Sequence, residues 1–300
     1  MPDIAASILA RLKQKSAKTG HSNQLYLQLF CQEEFLRRLQ HSRYVHDLTL
    51  KGGLLIYSMS GFQGRPTMDI DFLAKNIPNE SDEVKAIITE IIKTETSATF
   101  VSFTIYGITP ISVTTDYPGI SVSIIGRIKN VKVPFKIDVA FGDVLFGKTK
   151  KALLPTQLDD FASPEVQTYP MESVIAEKTD AILSLLEFSS RMKDYYDIWF
   201  LSNRLDLDGA LLYGALSTTF LRRKRSFDMT MWESFANLST NETMSNKWNL
   251  FIEKANIQAP KFNMILEDIK VFLHPPCIAV IMVQPFDLLW SAKERVWYSK

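Results

Sequence analysis

Cysteine is almost absent from the chain: Cys31 and Cys277 are the only two in 300 residues. Both have apolar neighbours and no C-x-x-C spacing, which excludes a disulfide framework or a cysteine zinc site and suits a reducing cytosol. Net charge is nearly absent too, at +1, so any nucleic-acid surface has to come from local basic clusters. Long apolar runs are missing. The late stretch from Cys277 to Val283 is seven residues, against the roughly twenty that a helix needs to span a bilayer; it reads as a buried strand or turn of core. Met1-Pro2-Asp3-Ile4 shows no basic region followed by an apolar one, so no export signal is expected, and the protein is placed in the cytoplasm with no membrane partner. No internal repeat and no low-complexity segment is found.

Apolar residues make up 46% of the chain, enough for one large domain or two modest ones with a buried core. The chain is organised around residues 50 to 73. Lys51-Gly52-Gly53 opens an apolar helix-like run, and Arg65-Pro66-Thr67-Met68-Asp69-Ile70-Asp71-Phe72 follows. A strand places residues i and i+2 on one side, so Asp69 and Asp71 point together. Parallel carboxylates raise each other's pKa unless a cation joins them, and the economical cation is a hard metal ion, magnesium foremost. Magnesium implies phosphate. Gly52 and Gly53, lacking Cβ, let backbone N–H groups approach an anion, and the helix behind them turns its positive end the same way; Lys51 is a candidate for the same cradle. Arg65 and Thr67 are candidates for orienting the metal-binding loop and the nucleotide.

These residues carry a resemblance. Lys-Gly-Gly followed by Arg-x-Thr-x-Asp-x-Asp-Phe is similar to the nucleotidyltransferase superfamily, specifically to the AbiEii/AbiGii abortive-infection toxins and the related MenT toxins. Gln32-Glu33-Glu34-Phe35-Leu36-Arg37-Arg38-Leu39 resembles the family's leading helix. Ala176-Glu177-Lys178 and Ser190-Arg191-Met192-Lys193-Asp194-Tyr195-Tyr196-Asp197 resemble its second and third signatures. The resemblance implies that Lys178 reaches triphosphate oxygens, that Asp194 is an active-site aspartate with Asp197 as its packing partner, and that the chain is a toxin with an antitoxin encoded nearby and tRNA as the favoured target.

Elsewhere, helices are expected over residues 4–15, 24–40, 81–94, 171–188, 191–201, 208–221, 245–255 and 261–272, from apolar spacing and capping residues. Strands are expected over 98–106, 119–128 and 131–140, with Lys129-Asn130 as a hairpin turn. Glu33, Glu34, Arg37 and Arg38 read as a solvated face. Asp138 is a lone acid among apolar strand residues and the candidate third carboxylate, the general base of the broader superfamily; Asp143 competes with it. From spacing alone, Asp194 or Asp197 pairs with Lys178 or Arg191. Arg222-Arg223-Lys224-Arg225, with Lys148, Lys150 and Lys151 as a weaker second cluster, is a candidate RNA-phosphate surface. Prolines at 155, 164 and 170 mark a linker.

The expected architecture is therefore α/β: a nucleotidyltransferase core with a mixed sheet flanked by helices and N-terminal helices over residues 1–160, then a mainly α-helical domain over 161–300 completing the active site. The expected function is a nucleotidyltransferase toxin of the EC 2.7.7 type. It would transfer NMP from a Mg2+-bound nucleoside triphosphate to an acceptor hydroxyl, of tRNA foremost, blocking translation and growth. A small-molecule nucleotidyltransferase acting on an antibiotic, and a non-catalytic nucleotide-binding protein, are the alternatives.

Overall fold

A computed structural model describes residues 3–111, 119–143, 145–224 and 227–300. The chain divides into two compact units, Met1–Asp143 with Thr149–Tyr169 and Val144–Lys148 with Pro170–Lys300.

The first unit is α/β. In chain order it comprises α1 (Ile4–Thr19), α2 (Asn23–His41), β1 (Leu48–Lys51), α3 (Gly52–Met59), β2 (Asp69–Ala74), α4 (Ser81–Lys93), β3 (Val101–Ile111), β4 (Gly119–Ile128), β5 (Val131–Phe141), β6 (Lys150–Leu153) and β7 (Glu165–Thr168). The strands form one mixed sheet in the order β3-β4-β5-β2-β1-β7-β6. β2 runs parallel to β5 and β1 parallel to β7, and the other pairings are antiparallel. Alternation along the strands decides the two faces. Leu50, Ile70, Phe72, Val122, Ile137 and Val139 are buried on one face; Asp69, Asp71 and Asp138, at the alternate positions, are only partly covered.

Helix α2 lies in the core of this unit, and this corrects the solvated-face expectation for its charges. Glu33, Glu34, Arg37 and Arg38 are all buried. Glu34 bonds Arg37 at 2.9 Å and Arg38 at 3.0 Å, and Arg38 also donates to the Val101 carbonyl at 2.7 Å. Both Glu33 oxygens accept the Gln157 N–H, at 3.0 and 3.1 Å. Burial pushes the Glu33 carboxyl up to about 7. Partners, not solvent, satisfy these groups, as a buried charge requires.

The second unit is mainly helical: α5 (Met171–Leu185), α6 (Met192–Ser202), β8 (Leu207–Asp208), α7 (Gly209–Arg222), α8 (Met229–Ala236), α9 (Glu242–Ala255), α10 (Phe262–Ile281), β9 (Leu288–Ser291) and β10 (Val296–Ser299). The last three strands form a small sheet, β10-β9-β8, that the sequence patterning did not indicate. The expected strand or turn after Cys277 is helix instead: α10 runs on through Pro275 and Pro276. The segment 155–170, expected to be a linker, contains β7, a strand of the main sheet beside β1. Among the described residues no helix is long and apolar enough to cross a membrane.

Candidate active site

The register of the first sheet aligns the acids. Lys51 on β1 pairs with Asp71 on β2, Asp71 with Asp138 on β5, and Asp138 with Ser121 on β4. Directly opposed residues share a face, so Lys51, Asp71, Asp138 and Ser121 form one polar row across four strands. Asp69 lies one step along β2 on the same face, opposite Lys136. The strand period expected for residues 69 to 73 is present, and the pairing adds a third acid that one strand alone does not reveal. Ser121 donates to Asp138 Oδ1 at 2.6 Å and fixes that carboxylate. Asp143 takes a different place: it accepts from the Lys51 ammonium at 2.7 Å, and the Tyr169 ring lies 4.8 Å from the same Nζ.

The glycines are required by contact. Gly52 has φ +68°, a left-handed conformation, and a Cβ there would fall 2.6 Å from Cγ and 2.9 Å from Cβ of Asp71. Only glycine lets this acid lie against the first turn of α3. A Cβ on Gly53 would meet Thr67 Oγ1 at 2.9 Å and Arg65 Nη2 at 3.4 Å, so the loop carrying Arg65 and Thr67 closes over the same turn. Among the described residues no side chain caps α3, which leaves its positive end to an anion.

Besides Ser121, two more residues of the site are absent from the sequence expectations. Gln28 and Gln32, one turn apart on α2, both donate to the Met68 carbonyl, the latter at 3.0 Å. They hold the peptide that leads into Asp69. Both are buried, and their amide oxygens have no partner among the described residues, a cost that a packing role alone would avoid by using leucine. A polar pair at i, i+4 on the apolar face of a helix was the available signal.

In the second unit Lys178 on α5 and Asp194 and Asp197 on α6 meet. The Lys178 ammonium lies 2.7 Å from Asp194 and 2.7 Å from Asp197, and Arg191 Nε lies 2.6 Å from Asp194. The ion pairing expected from spacing is present. Burial alone would raise the Asp194 carboxyl; Lys178 first and Arg191 next overcome it and hold it at about 2. Of the basic run, Arg223 bonds the buried Asp180, Arg222 and Lys224 are exposed, and Arg225 lies outside the described residues. Lys148, Lys150 and Lys151 are exposed, with Lys151 3.9 Å from Glu165.

A family model described as the nucleotidyl transferase AbiEii toxin of type IV toxin–antitoxin systems matches residues 34–269. The chain belongs to the AbiEii family. No curated protein matches it. Two crystal structures from Helicobacter pylori are similar at 12% identity. One, of JHP933, has a TM-score of 0.44 and is matched over 87% of this chain and 94% of that one. The other, of a putative nucleotidyltransferase, has a TM-score of 0.41 and is matched over 85% and 95%. Likeness this loose carries no argument about function. AbiEii membership makes the protein a nucleotidyltransferase toxin, with a nucleotide substrate and an antitoxin counterpart.

Nucleotidyltransferases use a divalent metal, and the donor set on β2 fits one. Among the described residues no cluster of three or more carboxylate, imidazole or thiol groups stands ready to enclose an ion. Magnesium does not need such a cage, since it binds through one or two carboxylates and completes its shell with water and substrate phosphates. Two hard carboxylates on one strand face, beside a helix start shaped for an anion, meet that requirement.

Proposed function

We propose that this AbiEii-family toxin transfers a nucleoside monophosphate from a nucleoside triphosphate to a hydroxyl of tRNA, in the cytoplasm, and so arrests translation and growth as an abortive-infection response. The observation that carries the proposal is Asp71 lying against Gly52 at the start of an uncapped helix: the acid on β2 and the phosphate cradle on α3 are in contact. Asp69 and Asp71 would hold Mg2+, which supplies charge neutralisation along the phosphates when bound. The first amides of α3 at Gly52 and Gly53 receive phosphate oxygens. Lys51, held by Asp143 and Tyr169, adds a cation to that cradle, and Arg65 and Thr67 keep the loop closed on Gly53.

The acceptor hydroxyl oxygen forms a bond to the α-phosphorus as the bond from that phosphorus to the α,β-bridging oxygen breaks, and pyrophosphate leaves. Asp138, oriented by Ser121, takes the hydroxyl proton. Within the second unit Asp194 and Asp197 bond the Lys178 ammonium; the family resemblance implies that this lysine meets phosphate charge. Most of the acceleration comes from placement and charge stabilisation.

The test is incubation of the purified protein with magnesium, bulk tRNA and each of four α-labelled nucleoside triphosphates, with an aminoglycoside arm beside it. Label in RNA with one triphosphate is the expected result. Label in the aminoglycoside alone would move the protein to the small-molecule class.

A further inference from the structure

The sheet face that carries the acids continues beyond them, and its composition changes. Two residues along from Asp138 the row is Ser123, Lys136 and Asp69; at the far end of the β4–β5 hairpin Arg127 stands opposite Lys132. All of these are alternate positions of one face. Lys132 and Lys136 are exposed and Arg127 half-exposed, and none of the three has a carboxylate partner among the described residues. A bulge on β3 sets Tyr106 and Gly107 together against Ser123, and Tyr106 is 58% exposed. From Lys132 to Asp138 the face extends about 20 Å at strand spacing, room for several nucleotides. Its acids are confined to the end where Asp69, Asp71 and Asp138 gather.

We propose that this open face of β4 and β5, from Arg127 and Lys132 through Lys136, is the track on which the single-stranded end of the RNA acceptor lies as its terminal hydroxyl reaches the acid row. The proposal rests on the transfer reaction proposed above and adds where the acceptor binds. The chemistry matches a single strand better than a protein partner. Cations spaced along the hairpin follow a phosphate backbone, the Ser123 hydroxyl beside Lys136 meets a ribose hydroxyl, and the exposed Tyr106 offers a stacking surface, with Ile125 and Pro134 in the row between the cations. In a protein of net charge +1, a face with three cations that form no salt bridge among the described residues, only Lys136 having an acid opposite it, is a local departure large enough to select a polyanion.

The experiment measures binding of a fluorescent single-stranded oligoribonucleotide and of bulk tRNA by anisotropy across a salt series. Wild type is compared with Arg127→Gln/Lys132→Gln/Lys136→Gln, with Tyr106→Ala, and with two charge-matched controls at exposed lysines off this face, Lys13→Gln/Lys18→Gln/Lys85→Gln and Lys93→Gln/Lys254→Gln/Lys261→Gln. The track predicts that the first variant loses at least about tenfold in affinity and that its slope of log affinity against log salt is shallower by about two. Tyr106→Ala weakens binding with little change of slope, and the controls stay near wild type. Equal loss in either control, wild-type binding by the first variant, or equally tight competition by polyglutamate would overturn it. Labelling of the same RNA separates the two proposals. If wild type labels RNA and the first variant does so with unchanged KM for RNA, the track is wrong and the reaction stands. If no triphosphate labels RNA while binding still depends on these residues, the track stands and the reaction is wrong.

Discussion

The molecule holds two acid groups built on opposite principles. On β2 and β5, Asp69, Asp71 and Asp138 gather along one partly open face at aligned register positions. Between α5 and α6, Asp194 and Asp197 are fully buried and are answered by Lys178 and Arg191 within 2.7 Å. The second group is close to neutral by itself, as a buried cluster has to be. The first gathers its carboxylates on a partly open face beside a phosphate-ready helix start, with Lys51 opposite Asp71 and Lys136 opposite Asp69. An open group can take up a ligand from solvent; a buried group that contains its cations contributes to structure whatever else it does. The Lys178 group therefore answers to measurements of stability as well as of activity, and the Asp69 group to activity first.

The sharpest way to break the comparison is Lys178→Met, which leaves two buried carboxylates without their shared ammonium. Unfolding in urea should show a loss of about 3–5 kcal/mol; an unchanged midpoint would remove the structural role. Gly52→Ala comes next. A side chain in the left-handed conformation and against Asp71 should cost about 1–3 kcal/mol and abolish transfer, and a fully active variant would show that the contact with Asp71 is dispensable.

Acid titration separates buried groups by sign. Asp194 is held at about 2 in the fold against an ordinary 3.8, so its contribution is present above about 3.8 and is lost as pH falls toward 2, about 2 kcal/mol in all. Glu33, raised by burial from 4.5 to about 7, acts the other way: its contribution is present below 4.5 and is lost as pH climbs to 7. Stability of Glu33→Gln followed by melting at several pH values should decline less between pH 4.5 and 7 than wild type. A parallel decline would mean that Glu33 does not titrate in that window. The smallest effect is expected from Ser121→Ala, which frees Asp138 without removing it. The expectation is a fall in transfer rate of about tenfold with melting unchanged, and recovery in Ser121→Thr. An unchanged rate, or a loss that Ser121→Thr does not recover, would make the serine a packing residue only.

What the sequence disclosed follows from which forces act locally. Asp69 and Asp71 were legible because a two-residue period needs no partner to be read, and α4 was legible because Val84, Ile87, Ile88 and Ile91 are spaced for one buried helical face. β7 was not, since Glu165-Val166-Gln167-Thr168 has one strongly apolar residue and too few positions to show a period, and pairing with β1 and β6 makes it a strand. The charged turn of α2 misled for the same reason: its partners at Val101, Gln157 and Ala162 are far along the chain. In the site, the acids came from local pattern. Of the residues that hold them, Gln28 and Gln32 left a faint trace as a polar pair at i, i+4, and Ser121 is shown only by its contact with Asp138.

The most direct test of the account measures RNA labelling from α-labelled nucleoside triphosphate and thermal melting side by side for wild type and Asp69→Ala. The account predicts a loss of transfer on the order of 10²–10³-fold or more with melting unchanged, because Asp69 is a partly exposed acid on an open face. Transfer that survives the substitution, or transfer lost only in step with the fold, would contradict the assignment of the β2 acids as the site of chemistry.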